Sequence, residues 1–258
     1  MFYFVHEHFS LFPHFLYLYF IFPPFSCLLA LLCFPQVTAL HLAARFSSAA
    51  VVKVILEAGS EDQVEKRTTT KDTPLHLAAS VNVNVDVIKL LVEFGADIDA
   101  RNQWLETPLH GAAWENSSPA VIKTLIILGA SLSAQASSGR TPLHRAAAHN
   151  PSVDVVRVLI KCSADSQTGE TDTDVETSLV EYSSEVDALD NWQQTPLHLA
   201  AQYNPGALPA LLEKGKPKVD PLDNKQKTPL YYAKVNGHET AIQALCEAGA
   251  DQDICDLT

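Results

Sequence analysis

Five histidines, His41, His76, His110, His144 and His198, each stand three residues after a threonine, and they return at steps of 35, 34, 34 and 54 residues. Histidine is both a general base and the commonest metal ligand. A zinc cluster or an acid–base dyad is therefore the first chemistry such a set suggests. A metal, however, needs ligands converging to about 2 Å from one point. Residues that recur once per repeat are held a repeat apart, so the set reads as a structural fixture rather than a site. The sequence holds no G-x-S-x-G, no P-loop, no H-E-x-x-H and no dinucleotide glycine pattern. The expectation is a non-enzyme with no catalytic residue, no metal and no cofactor.

Charge narrows the partners. The 258 residues carry a net charge of −12, which disfavours nucleic acid and anionic membrane surfaces. Nine of the acids fall in residues 165–190, where there is no base, and the remainder of the chain carries only −3. That block is rich in Ser and Thr and poor in apolar residues, so residues 164–190 read as a mobile acidic insert. Within it Thr171, Thr173, Ser178 and Ser184 each have an acid three residues on, the pattern of an acid-directed phosphorylation site or of a plain solvated linker. The five cysteines, Cys27, Cys33, Cys162, Cys246 and Cys255, form no C-x-x-C pair and suit reduced thiols in a reducing compartment.

The elements that carry these residues are repeats. TPLHLAA occurs at 73–79 and again at 195–201, with variants at 38–44, 107–113, 141–147 and 228–233. One step is about twenty residues longer than the others, and the excess coincides with the acidic block. Threonine is a favoured helix N-cap and proline fits the first helical position. Leu and paired Ala follow at helical spacing as a narrow apolar face. A second apolar stretch then appears in each unit (VVKVILEAG, VIKLLVEFG, VIKTLIILG, VVRVLIKCS, LPALLEKG, AIQALCEAG). Gly59, Gly95, Gly129, Gly215 and Gly249 stand after it, where a left-handed helix cap wants glycine. Two short helices cannot bury a core alone, but stacked copies can.

On these motifs residues 37–258 resemble the ankyrin repeat family, as six units. The resemblance implies an all-α solenoid of helix-turn-helix units with β-turn fingers, the fingers and first helices lining a concave groove. It also implies that each imidazole ties a helix start to the neighbouring finger. Departures from the family pattern are local. Units two to four carry an extra residue between their helices. Ser163 replaces a cap glycine, and Pro209 sits early in the second helix of unit five, which is expected to start near Ala207 and to be the loosest. Tyr231 stands in place of histidine in unit six.

The resemblance further implies that a protein partner is held by finger residues before the threonine and first-helix residues after the paired alanines. By position these are Gln103, Trp104, Glu106, Trp114 and Glu115 in unit three, Ser138, Arg140 and His149 in unit four, and Trp192, Gln194, Gln202 and Tyr203 in unit five. All three tryptophans of the chain are among them, and aromatics with arginine are the usual anchors of interfaces. Lys214, Lys216, Lys218, Lys225 and Lys227 form a basic patch around the last finger, either a solvated edge or a dock for an acidic partner.

Residues 1–36 differ in kind. Residues 9–44 carry no formal charge, yet Pro13, Pro23, Pro24 and Pro35 cut the apolar run into short pieces. Three readings stand for this segment: a membrane anchor through residues 9–35, a signal peptide, and a translated intron end left in a gene model. The abundance of Phe, Leu, Pro and Ser followed by Gln36 favours the last. The whole reads as a monomeric, cytoplasmic, non-enzymatic interaction scaffold. Its rivals are a membrane-tethered adaptor and a fragment of a larger protein with ankyrin repeats.

Overall fold

The computed structural model describes residues 36–59, 61–168 and 183–252. Residues 1–35, with the three readings given for them, and the sites Thr171, Thr173 and Ser178 lie outside the described residues, as does the middle of the acidic insert. Among the described residues the regular structure is helical, with no strand. None of the described helices is long and apolar enough to cross a membrane.

Each unit is a helix pair. The inner helices are α1 (Ala39–Phe46), α3 (Pro74–Val81), α5 (Pro108–Glu115), α7 (Pro142–His149), α10 (Pro196–Tyr203) and α12 (Pro229–Asn236). The outer helices are α2 (Ala49–Ala58), α4 (Val85–Glu93), α6 (Pro119–Ile127), α8 (Val153–Thr168), the short α11 (Leu208–Ala210) and α13 (Glu239–Glu247). The inner helices start alike because Thr38, Thr73, Thr107, Thr141, Thr195 and Thr228 all hold extended backbone at the N-cap. Their leucine and paired alanines then vanish from solvent: Leu75, Ala78 and Ala79 recur as Leu109, Ala112 and Ala113. Alanine leaves little side chain between inner helices, which is why they stack closely. Val87, Ile88 and Leu91 of α4, and their counterparts in α6 and α8, complete one continuous core.

Between units the chain runs out into fingers. Four fingers are closed by an Asx turn or, at Thr68, its threonine analogue, while the finger of unit four, with Ala136 at that place, is closed by backbone bonds from Ala136 to Arg140 and from Gly139 to Ala136. Asn102 Oδ1 accepts from the backbone of Trp104 and Glu106, Asp190 Oδ1 from Trp192 and Gln194, and Asp223 Oδ1 from Lys225 and Lys227. Neighbouring fingers are joined by one backbone hydrogen bond each, from Gln103 to Thr70, Ser137 to Trp104, Asn191 to Ser138 and Asn224 to Trp192.

Four expectations are corrected by local physics. Gly95, Gly129 and Gly249 take the left-handed cap, but Gly59 is extended with φ −100°. There the Gln63 side chain fills the space a Cβ would need and donates to the carbonyls of Ile55 and Leu56. After α11 the left-handed residue is Lys216 (φ 45°), and Gly215 belongs to a π turn, Leu211–Gly215. Ser163 does not cap α8: the helix stays right-handed through it and ends at Thr168. No left-handed serine therefore has to be stabilised. Finally, the far end of the segment 164–190 is ordered. Ser183–Val186 form a short helix α9, which contains Ser184, Val186 joins the core, and Asp190 closes the finger of unit five.

Unit five departs furthest from the pattern. Pro205–Ala207 form a 3₁₀ turn ahead of α11, and Pro209 follows one residue into it. The irregular outer element is nonetheless packed, with Ala207, Leu208, Ala210 and Leu211 buried.

Candidate functional site

The five repeated histidines are each committed at both ring nitrogens. In all five, Nδ1 accepts the backbone N–H of the threonine three residues earlier, at 3.1–3.2 Å, and faces its hydroxyl. That sets the tautomer, so Nε2 carries the proton and donates to a carbonyl in the next finger. The acceptors are Asp72, Glu106, Arg140, Gln194 and Lys227, at 3.0–3.1 Å. Burial lowers all five below the ordinary histidine value, His110 and His144 to about 4. A neutral ring with its one lone pair and one proton both engaged has nothing to offer a metal or a substrate. The histidines weld each inner helix to the next finger.

A second row of ties runs along the other end of the inner helices, and the sequence reading missed it. Asn82 Nδ2 donates to the carbonyls of Ala44 and Ser47, Asn116 to Ala79 and Asn82, and Asn150 to Ala113 and Asn116. Asn204 reaches back to Asn150 across the long insertion, and in unit six His238 takes the task with Ala201. Asn82, Asn116, Asn150 and Asn204 follow the steps of the threonines, 34, 34 and 54. The signal was therefore present, in the segment read only as an extra residue between helices.

Trp114, His149 and Tyr203 come together although they belong to three different units. The rings of Trp114 and His149 lie with centroids 4.1 Å apart, and those of His149 and Tyr203 5.6 Å apart and nearly parallel. Arg145 lays its guanidinium over the Trp114 ring at 4.5 Å and pairs with Glu106 of the preceding finger. Arg145 was not among the expected residues. Its signal is its place in TPLHRAA, where the other five units have Leu, Gly or Tyr. Desolvation, then the positive charges of Arg145 and Arg140, lower His149 to about 4. The stack is thus held in its uncharged form at neutral pH.

A smaller cluster sits on the fingers. Arg140 Nε donates to the buried carboxylate of Asp190 at 3.2 Å, and its guanidinium lies 5.4 Å above the exposed Trp192 ring. Trp104 is partly open to solvent at its own fingertip, beside the exposed Gln103. Glu115 is exposed at the end of α5, while Gln202 and Ser138 are half-buried, the Ser138 hydroxyl without a partner. Gln194 is buried. Its carbonyl takes the His144 proton and its amide faces Asp223, so it belongs to the framework and not to an open surface.

From unit two onward the residue just before the threonine follows a trend in charge: Asp72, Glu106, Arg140, Gln194, Lys227. The acids stand at the N-terminal end of this row and the cations towards the C-terminal end. Asp72 is spent on Thr70 and Asn102, and Glu106 on Arg145, while Lys227 lies over the Tyr231 ring at 4.3 Å.

Two comparisons bear on this architecture. The family model described as ankyrin repeats (3 copies) matches residues 25–102, 84–170 and 167–256. A stretch of 60 residues is 45% identical to the serine/threonine-protein kinase VIK of Arabidopsis thaliana, covering 22% of this chain and 13% of that protein's length. Arrays of this kind serve generally as protein–protein interaction modules, and the fold is typically non-enzymatic. Six capped helix pairs in phase, with the family model matching nearly end to end, place the chain in the ankyrin repeat family.

Proposed function

We propose that the chain is a non-enzymatic scaffold that holds an extended protein segment across the inner face of units three to five. The stack of Trp114, His149 and Tyr203 carries the proposal. It offers a continuous aromatic surface over three units, with Tyr203 52% exposed. Such rings add large contact area for little loss of side-chain freedom, and anchors of this type dominate interface energies. The charge trend orients the partner. Its acidic residues face the exposed Lys225, and its uncharged or basic end faces units two and three. The proposal places the chain in the cytoplasm as a monomer, in keeping with its free thiol at Cys246.

The test is quantitative affinity capture from cell extract with the wild-type chain and two variants, Trp114→Ala and Lys225→Glu. Loss of an aromatic anchor costs about 2 kcal/mol or more, so proteins retained by wild type fall at least about tenfold with Trp114→Ala. Lys225→Glu is at an exposed fingertip and depletes the acidic members of that set selectively. Retention unchanged in both variants overturns the assignment of the groove.

A further inference from the structure

Glu115 breaks the pattern of its row. Eight places after the threonine the other units have Phe46, Val81, His149, Tyr203 and Asn236, and unit three has an acid. None of the ion pairs among the described residues involves this carboxylate. Although open to solvent on one side, Glu115 stands in enough protein for desolvation to raise its pKa above the ordinary carboxylate value. Arg45 offsets that only in part, and its guanidinium lies over the Phe46 ring at 5.1 Å. The charge of Glu115 is therefore partly stripped of water and given no counterion.

The space beside it has a definite shape. Ser80, Val81, Val83, Glu115, Asn116 and Ser117 line a trough of about 210 Å3 at the ends of α3 and α5 and the loops that follow them. Its base is fixed, because Asn116 Nδ2 donates to the carbonyls of Ala79 and Asn82. Its wall on unit two is apolar and meets solvent, with Val81 38% and Val83 64% exposed. Gly111 keeps the inner end low. The same position carries Leu42, Leu77, Arg145, Leu199 or Tyr232 in the other units, and here a Cβ would stand 2.4 Å from Ser80 Oγ. A longer side chain at 111 would lie over the trough.

Small-molecule sites run from about 300 Å3 upward, so this volume suits a single side chain of a larger partner. An acidic side chain would meet Glu115 with like charge, and the finger acids of the same two units, Asp72 and Glu106, add the same sign. A purely apolar one would cover the valines and leave the carboxylate with still less water. Lysine and arginine fit both halves, since each lays an apolar stem along a surface while its head keeps a polar partner.

We propose that the trough between units two and three is a subsite for one basic side chain of the partner. Its aliphatic stem lies along Val81 and Val83, and its ammonium or guanidinium head rests on the Glu115 carboxylate. The assignment rests on the reading of the inner face as a partner groove and gives that partner's basic end its chemistry.

The test is selection of a phage-displayed random peptide library on the full wild-type chain, with the enriched peptides then synthesised as probes. They are expected to share one Lys or Arg position and to bind Glu115→Gln about fivefold more weakly. The melting temperature of Glu115→Gln should not move, because the carboxylate has no partner to lose. Replacing the basic residue of a peptide by Glu weakens binding to wild type at least as much, and Glu115→Lys restores it. Peptides weakened by Trp114→Ala but indifferent to Glu115→Gln and to their own basic residues overturn the subsite and leave the aromatic groove standing. Weakening by Glu115→Gln and not by Trp114→Ala keeps the subsite and overturns the groove around the stack. A library that enriches no peptide overturns both.

Discussion

Units three and four and unit five solve the same packing problem by different means. In units three and four a single regular outer helix, α6 or α8, lies on its inner partner, with Val121, Ile122 and Leu125 or Val155, Val156 and Leu159 sealing the interface. In unit five the outer element is a 3₁₀ turn, one turn of α-helix and a π turn, with Pro209 inside it. Its inner helix α10 is nonetheless built like α5 and α7, with the same threonine, histidine and paired alanines. Unit five also borrows a residue. The Val186 side chain, from the end of the long insertion, lies where a Cβ on Gly215 would stand, 2.8 Å from that point. The difference shows where sequence is constrained in such an array. The inner helices must match their neighbours on both sides, whereas an outer element can be irregular provided some apolar group fills the space.

The strongest way to break this comparison is acid. The folded-state values of about 4 for His110 and His144 lie below the 6.5 of an unfolded histidine. Between those values the unfolded chain binds more protons, so stability rises with pH, is fully present above 6.5 and is lost as pH falls towards 4. Each buried ring contributes up to about 3 kcal/mol of that dependence. His198 of unit five is lowered too, by burial first. Urea midpoints measured from pH 7 to pH 4 are expected to lose slope with pH in His144→Gln and in His198→Gln alike. Equal slopes in wild type and both variants would mean the histidines are not neutral and buried as the geometry requires.

Next in size is the asparagine row. Asn116→Ala removes two donated hydrogen bonds to buried carbonyls and one accepted from Ser118, a loss of about 3 kcal/mol. Asn204, half-buried with one bond to Asn150, is worth about 1 kcal/mol by the same reasoning. Denaturant unfolding of the two variants ranks the regular unit against the irregular one. A larger loss at Asn204 would show that unit five depends on this tie more than its neighbours do.

The borrowed valine gives a third measurement. Val186→Ala opens a cavity beside Gly215 and costs about 2 kcal/mol. The loss is confined to unit five, so amides of residues 208–215 exchange faster while those of α5 and α6 keep their rates. Uniform acceleration along the array would instead make the insertion's end a support for the whole solenoid.

The same contrast explains what could be read from the sequence. Helix starts, the repeat register and the inner-face alanines follow from local rules, threonine caps and helical spacing, and these appear in the letters. The asparagine row and Arg145 were also in the letters at the right steps, but their roles lie across units, in carbonyls and rings some thirty residues away. Ser163 shows a limit of another kind. A missing cap glycine does not force a strained cap when the helix can simply continue, and α8 does so to Thr168. The packing of Val186 on Gly215 had no local signal at all, because a block of acids hid one apolar residue that only the fold brings to unit five.

The smallest expected effect on stability belongs to the groove itself, which makes it the sharpest test of function. Tyr203 is 52% exposed and stacks on His149, whereas Trp114 is half-buried, beside His149 and under Arg145. Trp114→Ala therefore costs some stability along with binding, and its melting temperature drops by a few degrees. Tyr203→Ala removes an edge of the aromatic surface without opening the core, so the melting temperature moves by about 1 °C or less, as at ordinary surface sites. Partner retention still falls about tenfold if the ring is an anchor. Lys123→Ala, on the exposed face of α6, is expected to change neither. If Tyr203→Ala behaves like Lys123→Ala in both measurements, the stack is framework reaching the surface, and the partner must lie on the fingers around Trp104 and Trp192 instead.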